Sequence, residues 1–546
     1  MSQRTKENGG FLKQGGILAA ASIIVRFIGM LYRIPMANII GEKGNGIYSV
    51  AFLIYDIVLI ISSYSLPLAL SKIISAQSVK RQYKSIGKTF RLSAVFALIS
   101  GGLFCTVLFF GAEFIENTFF PTYIGVHIPL KVLAVTILIV AFLGVFRGFF
   151  QGKRTMMPTA VSQIIEQVIN AVVSVLCAYL FIKSNTDSPY RDAYGAAGGT
   201  MGTCLGALAA LLFLGFLYYL YQPVKRKQER RDRNEKELSA KTIYLTLFMT
   251  IIPIILSQTV YQSSGLIDTY LFGGIMPLKG TSNSVIQELT GVYSSKYQLL
   301  CSVPIAISTA VASSMIPSMV SSYVNQDTYE VKKKISLSIK FNMMIAFPCA
   351  AGLMVFGNPI IRILFPGADA VLGGRLMLAG SISIVFFALS NVTGGALQSI
   401  DKMRLPVIHS AISLILHIAI VLGLLKFTDL GIYSLVIGNV TFPIMVFILN
   451  FLSLKQYIGY KQEIMKTFFV PISASLWMAV ISGGVYLAFG MLFSQVHVQT
   501  IIAVVVAIIL YFIVYLRLRG VKRSELLEFP MGGRLYRLAV KMHLMK

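Results

Sequence analysis

Runs of about twenty apolar residues dictate the fold of this chain before any single motif is considered. Fourteen such stretches follow one another across 546 residues, separated by short polar segments. A bilayer core about 30 Å thick is crossed by a helix of roughly 20 residues, which satisfies its own backbone hydrogen bonds in lipid. Closed barrels satisfy them too, but with strands of about ten alternating residues, a pattern this sequence lacks. The fold class is therefore all-α, a polytopic membrane protein with fourteen transmembrane helices. Charged residues make up 13% of the chain, against about 25% in soluble domains. An ordinary soluble enzyme is excluded, and no stretch is left for a soluble catalytic domain.

Lys and Arg number 48 against 22 Asp and Glu. In a soluble protein that excess would suggest nucleic acid; here its placement across the membrane matters instead, and no nucleic-acid partner is expected. The N-terminus and alternate loops carry about 36 of these cations, clustered at Lys80 to Arg91, Lys225 to Lys241, Lys332 to Lys340 and Arg517 to Lys546, and the other loops about seven. The positive-inside rule then puts both termini in the cytoplasm. The first apolar stretch is full length and no small-residue cleavage site follows it, so it reads as a retained span and not as a signal peptide. Cys105, Cys177, Cys204, Cys301 and Cys349 all fall inside apolar runs without metal-ligand spacing and read as small apolar filler.

The chain divides into an N-terminal lobe over 1–222 (spans one to six), a basic linker over 223–241, a second lobe over 242–454 (spans seven to twelve), spans thirteen and fourteen over 455–517, and a basic cytoplasmic tail over 518–546. The linker, PVKRKQERRDRNEKELSAK, reads as a solvated connection, with binding of anionic headgroups as an alternative. The lobes echo each other. Gly46-Ile47-Tyr48-Ser49 opens span two and Gly291-Val292-Tyr293-Ser294 opens span eight; Gln151…Pro158 is matched by Gln398…Pro406, and Gly195…Gly202 by Gly431…Gly438. Matched spans are six apart and so run in the same direction, which predicts parallel repeats about an axis along the membrane normal, with a cavity between them. Spans thirteen and fourteen have no repeat partner.

A charge near the bilayer centre costs at least about 2.5 kcal/mol, so charged residues there are functional candidates. Arg26 and Arg33 stand seven residues apart in span one, just under two turns, and share a face with Gly29 between them. Guanidinium forks in that arrangement suit a diphosphate, which they grip bidentately. Asp56 in span two lies at about the depth of Arg33, and an ion pair between them is expected, as structure or as a gate. Gln163, Glu166, Gln167, Asn170 and Ser174 form a polar stripe on span five that would line water or bond to neighbouring helices. Asp268 and Lys296 lie at similar depth in spans seven and eight and would pair across the outer mouth of the second lobe. Arg147, Lys72 and Arg362 lie near span ends and read as snorkelling. His409 and His417 read as hydrogen-bonded core histidines. Nucleotide-binding, nucleophile-elbow and zinc-protease motifs are absent from the sequence. No catalysis, cofactor or metal is expected, and coupling to the membrane potential or to a cation stays unassigned.

Three segments carry a family resemblance: GGILAAASIIVRFIGMLYRIPMANIIG, GIYSVAFLIYDIVLIISSYSLPLALSKIIS and RGFFQGKRTMMPTAVSQIIEQV. With them the chain resembles, over essentially all its spans, the polysaccharide-transporter branch of the multidrug/oligosaccharidyl-lipid/polysaccharide exporter superfamily, close to MurJ-type lipid II flippases and SpoVB-like proteins of Gram-positive bacteria. The resemblance implies two lobes around a cationic cavity and a groove for a polyprenyl tail at the last two helices. It also implies functional roles for the first-span arginines: Arg26, with Ile28-Gly29 after it, matches the pattern, and Arg33 matches with one extra residue of spacing. Lys296 stands near the position of a basic residue in span eight. Asp268 matches one element of a cation site found in some members, whereas span eleven offers Ser413 and His417 in place of an acid. The expected function is a flippase in the bacterial plasma membrane that moves lipid II by alternating access, in contact with membrane lipids and cell-wall synthesis proteins. Export of another polyprenyl-linked oligosaccharide, cation-coupled drug export, and a non-transporting cell-wall scaffold are the alternatives.

Overall fold

The computed structural model describes residues 2–153, 155–230, 232, 238–367, 369–492, 495–528 and 532–541, with side chains from Ala21 onward apart from scattered positions inside the helices. The regular elements among them are all helical. They are α1 (Ser2–Leu59), α2 (Leu66–Val79), α3 (Tyr83–Phe119), α4 (His127–Gly152), α5 (Met157–Ser184), α6 (Arg191–Arg230), α7 (Ala240–Ile275), α8 (Asn283–Val292), α9 (Leu299–Val324), α10 (Thr328–Leu364), α11 (Ala370–Gly380), α12 (Ser383–Ser399), α13 (Arg404–Phe427), α14 (Tyr433–Ile458), α15 (Val470–Leu492), α16 (Val496–Arg517), α17 (Arg523–Glu528) and α18 (Gly532–Lys541). Ten described helices are long and apolar enough to cross a membrane, eleven when the bent pair α11–α12 counts as one span. The protein is a multi-pass membrane protein. That count covers the described residues alone, and within it expected spans one and two fall in one helical run, Ile24–Val79.

The break between the first two spans lies at Gly41, whose φ of 69° belongs to the left-handed region that glycine enters without a Cβ clash. The carbonyls that lose their helical partners there are recovered by Asn45, whose Nδ2 donates to Ala37 O at 2.9 Å and Gly41 O at 2.6 Å. Helices α5 and α6 approach backbone to backbone. Gly198, Gly202 and Gly206 recur every four residues on α6, and a Cβ on them would meet Cys177 O, Asn170 O and Glu166 O, each at 2.5 Å. This small-residue stripe is what lets two helices with little hydrophobic drive between them in lipid pack closely. Gly202→Val is expected to lower the thermal unfolding midpoint of the purified protein, at a cost of about 1–3 kcal/mol for overpacking. Gly215→Val, farther along α6 where nothing lies within 4 Å, should melt near the native protein, and equal melting of the two variants would refute the packing role.

Two compact units make up the chain, Met1–Gly291 and Val292–Lys546. The division falls later than the linker because α7 and α8 pack with the first six helices. In the first unit, Leu70, Ile74, Phe90, Phe149, Leu214 and Leu247 belong to one buried cluster; in the second, Phe341, Phe356, Met478, Tyr511, Tyr515 and Leu526 do. Of the expected linker over 223–241, residues 231 and 233–237 lie outside the described residues. Helix α6 continues through it to Arg230, and the buried Asp232 accepts a 2.8 Å bond from the Lys84 backbone N–H. Leu238 N–H donates to Ser85 Oγ at 3.3 Å.

Candidate functional site

Helix α5 organises the polar interior of the first unit. Val168, Val172, Leu176 and Tyr179 are exposed along one side, and at 100° per residue the stripe of Gln163, Glu166, Gln167, Asn170 and Ser174 lies on the other. That stripe meets three helices. Toward α6, Ser174 Oγ donates to Gly199 O at 2.7 Å and also bonds Asn170 Oδ1 at 2.8 Å. Toward α1, Asn170 Nδ2 donates to the Tyr32 hydroxyl at 3.3 Å, and a Cβ at Gly29 would stand 3.0 Å from Gln167 Nε2. Toward α4, Glu166 Oε2 accepts from Arg147 Nη2 at 2.6 Å, while Arg147 Nε donates to Ser162 Oγ at 3.2 Å. Gln163 Oε1 is buried without a partner. The stripe therefore both holds helices together and presents polar groups inward.

Arg33 sits beside it on α1. Its Cζ is 6.0 Å from the ring centroids of both Tyr48 and Phe52, the limit of cation–π attraction. The expected ion pair with Asp56 is not formed: the two charges act on each other only electrostatically, and Arg33 takes the aromatic faces instead. Equal depth in the membrane does not fix the direction in which each helix turns its side chain. Arg26, further along α1, is exposed. Asp268 on α7 is buried in the first unit and Lys296 in the second. The Lys296 ammonium lies 5.5 Å from the Phe365 ring centroid, in the π-helical turn Tyr293–Gln298.

The histidines lie in the second unit. His409 Nδ1 is 2.7 Å from Asn450 Oδ1 and its Nε2 is 3.2 Å from Ser453 Oγ. His417 Nδ1 is 3.1 Å from Gly438 O, a group that only accepts, so this nitrogen carries the proton. Both are hydrogen-bonded core residues. Arg147 departs from the snorkelling expectation by turning inward to Glu166. The signal that finds it is the one applied to Arg33 and Asp56: opposite charges at neighbouring depth on consecutive antiparallel helices.

Comparison with known proteins agrees with this architecture. A family model described as polysaccharide biosynthesis protein matches residues 11–323, and a second of the same description matches 283–368. Lipid II flippase MurJ of Bacillus subtilis strain 168 is 23% identical over 469 residues, covering 82% of this chain and 83% of that protein. Stage V sporulation protein B of the same strain is 23% identical over 530 residues, covering 96% and 98%. A solved structure of lipid II flippase MurJ in an inward closed conformation matches with a TM-score of 0.64 at 16% identity over 91% of this chain and 97% of that one. That likeness establishes the fold.

Proposed function

This chain belongs to the polysaccharide biosynthesis protein family, and we propose that it is a flippase for a polyprenyl-diphosphate-linked saccharide, with lipid II as its substrate. The observation that carries the reading is Arg33. It is a cation in a membrane helix, seated on two aromatic rings and joined by no carboxylate in an ion pair among the described residues. A charge kept in lipid without a fixed counter-ion is retained at a cost of at least about 2.5 kcal/mol, which binding an anionic ligand offsets. Arg26, Arg33 and Lys296 bind the diphosphate in this reading. Gln163, Glu166 and Asn170 meet the sugar and peptide headgroup, Asp56 tunes the arginine, and Asp268 acts as a gate. The chain crosses the membrane fourteen times with both termini cytoplasmic, and the polyprenyl tail stays in lipid beside the last two spans. The similarity to lipid II flippase MurJ supports this reading.

Near-complete coverage of, and by, stage V sporulation protein B favours a second reading within the same architecture, export of a different lipid-linked saccharide. The two separate in cells depleted of their own lipid II flippase. Expression of this chain should restore lipid II that a probe confined to the outer face can reach, and Arg26→Ala with Arg33→Ala should abolish the restoration at normal protein levels. An abundant, folded protein that restores nothing would refute lipid II and leave the second reading.

A further inference from the structure

The pair formed by Arg147 and Glu166 has features that a helix-to-helix fastener does not require. A guanidinium has five N–H donors; Arg147 spends one on Glu166 and one on Ser162, leaving three. The pair is not sealed, since the side chains are 16% and 25% exposed. Ser162 is spoken for on its donor side, giving its hydroxyl proton to Thr159 O at 2.8 Å, so it acts on Arg147 only as an acceptor and orients the guanidinium plane. One residue on, the Gln163 carbonyl is buried and unpaired. Glu166 is on the same stripe as Asn170, which reaches Tyr32, the neighbour of Arg33. A fixed guanidinium, a single displaceable carboxylate and spare donors together make an anion-exchange site.

We propose that Arg147 is a further diphosphate-binding residue and that Glu166 is its internal stand-in ligand, displaced when a phosphate oxygen arrives. This rests on the diphosphate reading above and deepens it. In the empty protein Glu166 neutralises the cation and keeps it oriented. On binding, the phosphate takes over the charge-assisted bonds of the guanidinium, and Glu166 is released toward the amide-lined part of the stripe. Displacement of a resident anion lowers the net affinity of every incoming anion alike, so Glu166 sets a threshold: a diphosphate, which engages more of the spare donors, still binds, and a monophosphate falls below it.

The signs of two substitutions separate this from a structural ion pair. The probe is farnesyl diphosphate, with farnesyl monophosphate beside it, titrated into the full-length protein in nanodiscs of neutral lipid. Glu166→Gln keeps the shape and removes the competing charge; it should bind farnesyl diphosphate about tenfold more tightly, which is about 1.4 kcal/mol, and bring farnesyl monophosphate into measurable binding. Arg147→Gln should weaken diphosphate binding about tenfold, and the double variant should bind like Arg147→Gln. If both single variants lower thermal stability and leave diphosphate affinity as it is, the pair is structural and the proposal is overturned. Binding lost in Arg33→Ala while Arg147→Gln and Glu166→Gln bind like the native protein overturns the role of Arg147 and leaves the diphosphate reading standing. No binding by the native protein overturns both.

Discussion

Replacing Glu463 and Glu525 together by glutamine is expected to destabilise the second unit by about 3 kcal/mol, because it strands a buried lysine. Lys340, on α10, is 2% exposed. Its ammonium lies 3.1 and 2.9 Å from the two oxygens of Glu525 on α17 and 3.6 Å from Glu463, just ahead of α15. Removing one side of a buried ion pair costs about 3–5 kcal/mol. The lower end applies here, since the Glu463 side chain is 44% exposed and water screens it. Lys340→Met added to the double variant should recover most of the loss, since an apolar replacement of a whole buried pair is close to neutral. The readouts are the thermal midpoint and the trypsin cleavage rate after Arg517. A double variant that melts and resists trypsin like the native protein refutes the clamp. The same contact carries a pH signature. Burial draws the Glu525 carboxyl up, but the Lys522 N–H, the Lys340 ammonium and the charges of both lysines outweigh it and hold the group below the usual carboxylate range. A carboxylate whose folded-state value is depressed contributes stability above its unfolded value of about 4.3 and loses it as pH falls below that point. Trypsin is inactive in that range, so the acid limb is read with pepsin, and Glu525→Gln should flatten it.

Lys340 also shows where the sequence stops being legible. It closes the cluster Lys332 to Lys340, which counts as loop cations by hydropathy, yet it is buried and paired. Hydropathy reports position along the membrane normal and is silent about rotation around a helix axis and about which surface a loop comes to rest on. The helical class, the multi-pass character and the inward polar stripe on α5 depend only on periodicity and length, and they are readable. The Arg33–Asp56 pair was inferred from depth alone, and rotation defeats it. Arg147 was assigned to the interface by its distance from a helix end, although its partner nineteen residues on was in plain view as the charge on the neighbouring stripe. The charged composition of the linker does not show that Asp232 caps the start of α3. The repeated glycines are a contrasting case. Gly46 and Gly291 were paired by their sequence context, and they prove to be the residues at which α1 and α8 come into backbone contact.

That contact supports the second large expectation: Gly291→Val should separate α8 from the α1 break and reduce the population in which the two touch by about tenfold to a hundredfold. A Cβ at Gly291 would stand 1.8 Å from Glu42 O, and one at Gly46 would stand 2.2 Å from Gln287 O. Both obstacles are backbone carbonyls, so no side-chain rotation relieves them, and the cost is that of a forced backbone shift, about 1–3 kcal/mol. The surroundings reinforce the closure without crowding it. Gln287 Nε2 donates to Thr122 O at 2.8 Å, the Tyr123 hydroxyl lies 2.9 Å from Thr290 Oγ1, and Lys43 pairs with Glu288 at 3.7 Å. The Lys43–Glu288 pair supplies the reporter. With the five native cysteines replaced by alanine, Lys43→Cys and Glu288→Cys should cross-link readily with a short bis-methanethiosulfonate reagent, which spans the length that the two shortened side chains leave, and Gly291→Val should slow the cross-link by at least tenfold. In the proposed orientation this contact lies on the outer side, where an alternating-access flippase must close and reopen, so transport should fall in the same variant. Cross-linking at the native rate would show that α8 accommodates the added methyls in place and that the paired glycines do not control the closure.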